Sequence, residues 1–162
     1  MSTFTKETRI EAPRTEVWKV LADLGSIEKW HPGVVRSYST SDEPGGEGAT
    51  RHCDVKGMGG NTAFLEERAF EWREGESFKM DIYETNLPIK GNVVTFTVAD
   101  DGDATLVKIS PDYKLKFGLI GSLMDKLMVR RRFEQGIEEM AAGLKRYIET
   151  GSEASESAGT GG

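Results

Sequence analysis

Arg51 and Glu67 are the residues with which this sequence could do chemistry, and the segment that carries them, GATRHCDVKGMGGNTAFLEERAF at 48–70, suggests how. Folded as a hairpin about Gly59, the segment sets Arg51 opposite Glu67, Cys53 opposite Leu65 and Val55 opposite Ala63, since each pair sums to the same register. Side chains alternate across a strand, so all six share one face of the sheet. Cys, Val, Ala and Leu belong in an interior, and an ion pair among them predicts a lined cavity rather than a closed core. An arginine with spare donors could hold a carboxylate or an enolate-like oxygen. A glutamate with a raised pKa could act as a general acid or base. The pair could equally be a structural one, because removing one partner of a buried ion pair costs about 3–5 kcal/mol. The two readings are compatible.

Other reactive residues form no comparable constellation. His52, Cys53 and Asp54 are consecutive, so in a strand His52 and Cys53 point to opposite faces and cannot readily share a metal ion. With one cysteine and two histidines in the chain, a structural zinc site lacks ligands. Cys53 reads as a small buried hydrophobe, since a nucleophilic role needs an activating base. His31, in Trp-His-Pro, reads as a turn residue near a cavity mouth, with a catalytic role the sharper alternative. No Ser-His-Asp order, phosphate loop or dinucleotide fingerprint is present, and the glycines of KGMGG suit a hairpin tip. Neither a cofactor nor a metal is expected.

The elements that must position Arg51 and Glu67 follow from the hydrophobic pattern. TFTKETRIE (3–11) reads as a first or edge strand. In APRTEVWKVLADLG (12–25), Pro13 suits a first helical turn, Gly25 a helix stop, and Val17, Val20, Leu21 and Leu24 make one stripe. A short helical piece, SIEKWHPGV, ends at Pro32 and Gly33. Strands are then predicted at 34–40, 48–56, 61–72, 76–85, 91–99 and 104–114, separated by short turns, so an antiparallel meander is the economical topology. A long amphipathic helix runs from about Leu119 to Glu149. Gly136 and Gly143 weaken its propensity, so packing must hold it. One curved antiparallel sheet of about seven strands, gripped around one long helix with two short helices after the first strand, is an α+β fold, and imperfect closure between sheet and helix leaves a pocket. Its walls are expected from Cys53, Val55 and Leu65, from Val94, Phe96, Ile109 and Tyr113 on strands, and from Met124 and Met128 on the helix, beside Leu123 and Leu127. Ordinary core packing is the alternative for each, and Trp18, Trp30 and Trp72 read as core or rim.

Composition narrows the function classes. At 162 residues the chain makes one domain, read as 1–149, followed by TGSEASESAGTGG, which has no apolar anchor and reads as a disordered tail over 150–162. The net charge of −6 argues against a general nucleic-acid or anionic-membrane binder. The basic VRRRF at 129–133 reads as a solvated face, with an acidic headgroup or partner the alternative. No window is apolar enough for stable membrane insertion, the N-terminus lacks a signal-peptide run, and a lone cysteine excludes an internal disulfide, so a cytoplasmic protein is expected.

This order of elements, together with IEAPRTEVWKVLADLGSIEKWHPGV, the Gly-x-x-Arg of GATR and the Glu-Arg of EER at 66–68, resembles the START-like helix-grip superfamily (SRPBCC) over roughly residues 3–149. That superfamily includes START lipid-transfer domains, the major birch-pollen allergen, plant abscisic-acid receptors and bacterial polyketide cyclase/dehydrase-like proteins. The resemblance implies that Arg51 and Glu67 line a ligand cavity, that Lys56–Gly60 and Thr85–Gly91 correspond to gating loops, and that Arg36 is the nearest match to a carboxylate-anchoring lysine. Because one fold hosts many activities, three functions stay open. The first is binding, or transport, of a small hydrophobic or amphipathic molecule. The second is a polyketide cyclase or dehydratase using Glu67 and Arg51. The third is a co-chaperone-like or regulatory interaction module with a vestigial cavity.

Overall fold

The computed structural model describes residues 2–57, 60–115 and 123–154, with side chains left aside at 2–3, 115 and 123–126. Its elements are β1 (Ser2–Thr3), β2 (Lys6–Ile10), α1 (Arg14–Ala22), a 3₁₀ segment (Leu24–Lys29), β3 (Val34–Ser39), β4 (Thr50–Lys56), β5 (Thr62–Arg73), β6 (Ser77–Thr85), β7 (Ile89–Asp101), β8 (Ala104–Leu115) and α2 (Leu123–Thr150). The strands form one antiparallel sheet in the order β1/β2, β8, β7, β6, β5, β4, β3. Both β1 and β2 pair with β8, in one continuous register, from Ser2 opposite Tyr113 to Ile10 opposite Thr105. They are two halves of a single edge strand, so the sheet has seven strand positions, as expected. The break falls opposite Ser110 and Pro111, and Pro111 has no N–H to give the ladder.

The short helices depart from expectation in one respect. α1 ends at Ala22 rather than at Gly25, which lies inside the 3₁₀ segment. Gly25 is needed there for close approach, not for a helix stop: a Cβ on it would sit 2.7 Å from the backbone nitrogen of Ser39. The Ser37 hydroxyl locks the same contact, donating to the Gly25 carbonyl at 2.7 Å and accepting from the Glu28 N–H at 3.1 Å. The 3₁₀ segment is thereby fixed against β3, with the Leu24 carbonyl facing the sheet interior.

α2 supplies the other layer. Ile137, Met140, Ala141 and Leu144 are buried in the core. Lys145 and Glu149 tie the helix to β2 by donating to the Arg9 carbonyl and accepting from the Glu11 N–H. The concave face of the sheet is filled unevenly. Towards α1 the rings of Trp18, Trp72, Phe78 and Phe96 stack edge and face at 4.7–5.6 Å. Towards the β6–β7 connection the inward residues are smaller (Val55, Leu65, Val94), and there sheet and helix do not meet. No helix among the described residues is long and apolar enough to cross a membrane.

Candidate functional site

The unfilled end of the interior is a cavity of about 520 Å³, within the range of small-molecule sites. Val55, Leu65, Ile82 and Val94 form its sheet wall, Phe133, Ile137 and Met140 its helix wall, and Leu87, Pro88 and Ile89 its rim on the β6–β7 side. The opposite rim carries His31, Pro32 and Gly33 with Lys56 and Gly57. Both connections that the resemblance marked as gates therefore border the opening, although Met58 and Gly59 lie outside the described residues.

The polar part of the site is built on the hairpin. Arg51 stands opposite Glu67, Cys53 opposite Leu65 and Val55 opposite Ala63, the register the sequence predicts. Arg51 and Glu67 are each about 5% exposed. Arg51 Nε donates to Glu67 Oε2 at 2.5 Å, and a terminal guanidinium nitrogen donates to the Leu24 carbonyl at 3.1 Å. Burial works against the guanidinium charge, but the adjoining Glu67 carboxylate outweighs it and the Arg51 pKa is raised. Arg51 is thus a fixed cation. Glu67 lines the cavity in front of it.

Two further polar groups share the cavity. His31 has its pKa lowered to about 4 by burial, with the Arg51 charge adding to the effect, so its imidazole is neutral at pH 7. Its Nδ1 accepts the Gly33 N–H at 3.1 Å, which places the ring proton on Nε2. Asn92, on β7, is 3% exposed and lines the cavity, and its Oδ1 has no hydrogen-bond partner among the described residues.

Of the residues expected at the site, the structure brings Val55, Leu65, Glu67 and Val94 to the cavity surface. The structure places most of the others elsewhere. Arg51 does not line the cavity but sits behind Glu67, held by the Leu24 carbonyl. Arg36 is exposed, its guanidinium 4.9 Å from the Tyr38 ring, because the register of β3 against β4 slips between Val34 and Arg36. Cys53 is fully buried, its thiol pushed up to about 12 by burial, so it is an unreactive packing residue. Phe96 and Ile109 are buried in the core, Phe96 against the Phe78 ring, and neither lines the cavity. Tyr113 is buried against the Phe133 ring at 4.1 Å and backs the helix wall instead of facing the cavity. Met128 is 60% exposed, and Leu127 is exposed too. Met128 lies roughly 140° around the helix from Phe133, at about 100° per residue, so the wall runs through Val129, Phe133, Ile137 and Met140. The side chain of Met124 lies outside the described residues.

Sequence reasoning missed Asn92, Ile82, Phe133 and Met140 as cavity residues and gave Arg132 no place there, although Arg132 stands at the mouth while Arg130 pairs with Glu134 at 3.0 Å. For Asn92 the signal was present: it precedes Val94 and Phe96 at the strand period, so it shares their inward face. His52 is turned to the outer face, its ring nitrogens engaged by Glu66 and Asp54 and its ring stacked between Tyr38 and Phe64. The bond to Glu66 is the main reason that its pKa is raised. Among the described residues no group of His, Cys, Asp and Glu is arranged to hold a metal ion.

Comparison with known proteins adds the following. The model of the family described as polyketide cyclase/dehydrase and lipid transport matches residues 1–149. A protein of Thermus thermophilus superposes with a TM-score of 0.79 at 20% identity, covering 93% of this chain and 99% of that one. A START superfamily protein from Mycobacterium smegmatis superposes at 0.77 and 16% identity, covering 93% and 99%. The di-domain ARO/CYC StfQ of the steffimycin biosynthetic pathway superposes at 0.74 and 12% identity, covering 98% of this chain and 52% of that one. At these identities the likeness concerns the fold. No curated protein matches the sequence.

Proposed function

The chain belongs to the polyketide cyclase/dehydrase and lipid-transport family, and from that premise we propose that it binds and carries a small hydrophobic or amphipathic molecule in the cavity between sheet and α2. The observation that carries this reading is the cavity itself, about 520 Å³ with aliphatic and aromatic walls and the Glu67 carboxylate set into them. Burial of the ligand's apolar body would supply roughly 25 cal/mol per Å². Glu67 would orient the polar end. Arg51 acts as a positioning residue, since it holds the carboxylate and has no surface on the cavity. A lone, buried thiol and a charged surface suit a reducing compartment, the cytoplasm.

The test is native mass spectrometry of the freshly purified protein, followed by denaturing extraction. A stoichiometric small molecule that leaves on unfolding is the expected result. Protein that is empty, and that shows no change in the resonances of Leu65, Ile82 and Val94 on addition of lipids or aromatic compounds, would count against binding and towards an interaction module.

A second reading, cyclase or dehydratase chemistry on a polyketide-like carbonyl compound, draws on one observation: Glu67 and the neutral His31 line the same cavity. Glu67 would move the proton, and the His31 Nε2–H would donate to the developing enolate oxygen. Turnover lost in Glu67→Gln while binding persists would favour this reading over carriage alone.

A further inference from the structure

We propose that Asn92 is the specificity-determining residue of the cavity and that its ligand meets it with a hydroxyl group carried on an apolar body. The inference rests on the reading of the cavity as a ligand site and adds a chemical class to it. Asn92 shares the inward face of β7 with Val94 and Phe96, whose environments are apolar. It is only 3% exposed, lines the cavity, and leaves its Oδ1 without a partner among the described residues. Buried polar groups are normally bonded, and one left open loses stability that a leucine or valine at the same place would keep. That Oδ1 has itself almost no accessible surface, so a ligand hydroxyl reaches it by a turn of the carboxamide towards the cavity that the residue lines.

The sheet register gives this group its relation to Glu67. Glu67 on β5 pairs with Ile82 on β6, and the β6–β7 ladder ends at Asp81 opposite Val93; continued by one residue, that register sets Ile82 beside Asn92. Glu67 and Asn92 therefore lie in one row across the concave face, two strand spacings or roughly 9.5 Å apart at the backbone. Ile82 presents an apolar surface between them. That row suits a flat or extended apolar body with a polar group towards each end. Glu67 is already half-satisfied by Arg51, whereas the Asn92 Oδ1 has no such partner among the described residues, so discrimination falls chiefly on Asn92. A hydroxyl both donates and accepts and can meet either end of a carboxamide; a methyl group can meet neither. A site with an open hydrogen-bonding group rejects the analogue that lacks the matching group, because the buried atom stays unpaired.

The experiment compares two probes of one shape, a dihydroxynaphthalene and a dimethylnaphthalene substituted at the same opposite ends. Binding to the full chain and to Asn92→Leu is followed by calorimetry, with Asn92→Ala as a second variant should leucine pack badly. The wild type is expected to prefer the diol, and both variants to lose that preference by about tenfold. The dimethyl probe should bind Asn92→Leu at least as well as the wild type. Binding of both probes with an unchanged preference in the two variants would overturn the role of Asn92 and leave the cavity reading intact. Binding of neither probe to the wild type would overturn the cavity reading, and this inference with it.

Discussion

Arg51 carries a charge in a place where an unpaired charge is not tolerated, and its environment shows what each neighbour contributes. Glu67 neutralises it and the Leu24 carbonyl takes a second donor. Glu67→Ala should therefore cost about 3–5 kcal/mol in chemical denaturation, because the cation is left behind, while Glu67→Gln leaves the same cation unpaired and should recover only about 1 kcal/mol of that by keeping an acceptor for Nε. His31 makes a different prediction. Above its ordinary pKa of 6.5 the imidazole is neutral in both folded and unfolded chains and contributes no pH dependence. Between 6.5 and about 4 the unfolded chain binds the proton first, so stability falls as pH falls. From pH 7 to pH 5 the wild type should lose about 2 kcal/mol more than His31→Gln, read from urea midpoints at each pH. His52 acts in the opposite sense, since its raised pKa gives stability that is present in acid and lost as pH rises through the folded value. It is common to both proteins and cancels in that comparison.

At the scale of the element, α2 carries two glycines that the sequence makes equivalent and the fold does not. A Cβ on Gly143 would stand 2.0 Å from the Trp30 carbonyl oxygen, whereas one on Gly136 would meet nothing within 4 Å. Alanine is ordinarily worth about 1 kcal/mol over glycine inside a helix. Gly136→Ala should raise stability by about that amount. Gly143→Ala should lower it by about 1–3 kcal/mol, because the helix must move off the 3₁₀ end. Thermal melts of the two variants, run side by side, check both signs. The β4–β5 hairpin is the element most legible in the sequence, because a turn of glycines pins the register and alternation does the rest. The first half of α2 was the least legible. Leu127 and Met128 sit in an apolar run, yet the helix turns them to solvent, since Phe133, Ile137 and Met140 are what the sheet holds.

For the whole molecule the interior divides into a packed aromatic end and an open end, and function is proposed only for the second. Filling the open end should separate fold from ligand: Val94→Phe is expected to keep a cooperative melt and to yield no extractable small molecule. A bound ligand at a hundredfold excess over its Kd should stabilise the wild type by about 2.7 kcal/mol and leave that variant unmoved. Cys53 reports on the packed part. Buried, with its thiol pushed up to about 12, it should react with a thiol reagent at neutral pH only as fast as the fold opens, so labelling should follow added denaturant.

By itself the sequence determined the order of elements, the antiparallel sheet, the long helix and the inward pairing of Arg51 with Glu67. These depend on hydrophobic period, on turn residues and on registers between neighbours in the chain, all of which are local. Only the tertiary structure decided which inward residues face a cavity and which are packed over. It set Glu67 in front of Arg51 by bringing the Leu24 carbonyl from the 3₁₀ segment, turned Arg36 outward through a slip in register, and brought Asn92 into the row of Glu67 across an intervening strand. Those outcomes depend on how far the sheet curves and where α2 rests on it, and both arise from contacts between segments distant along the chain.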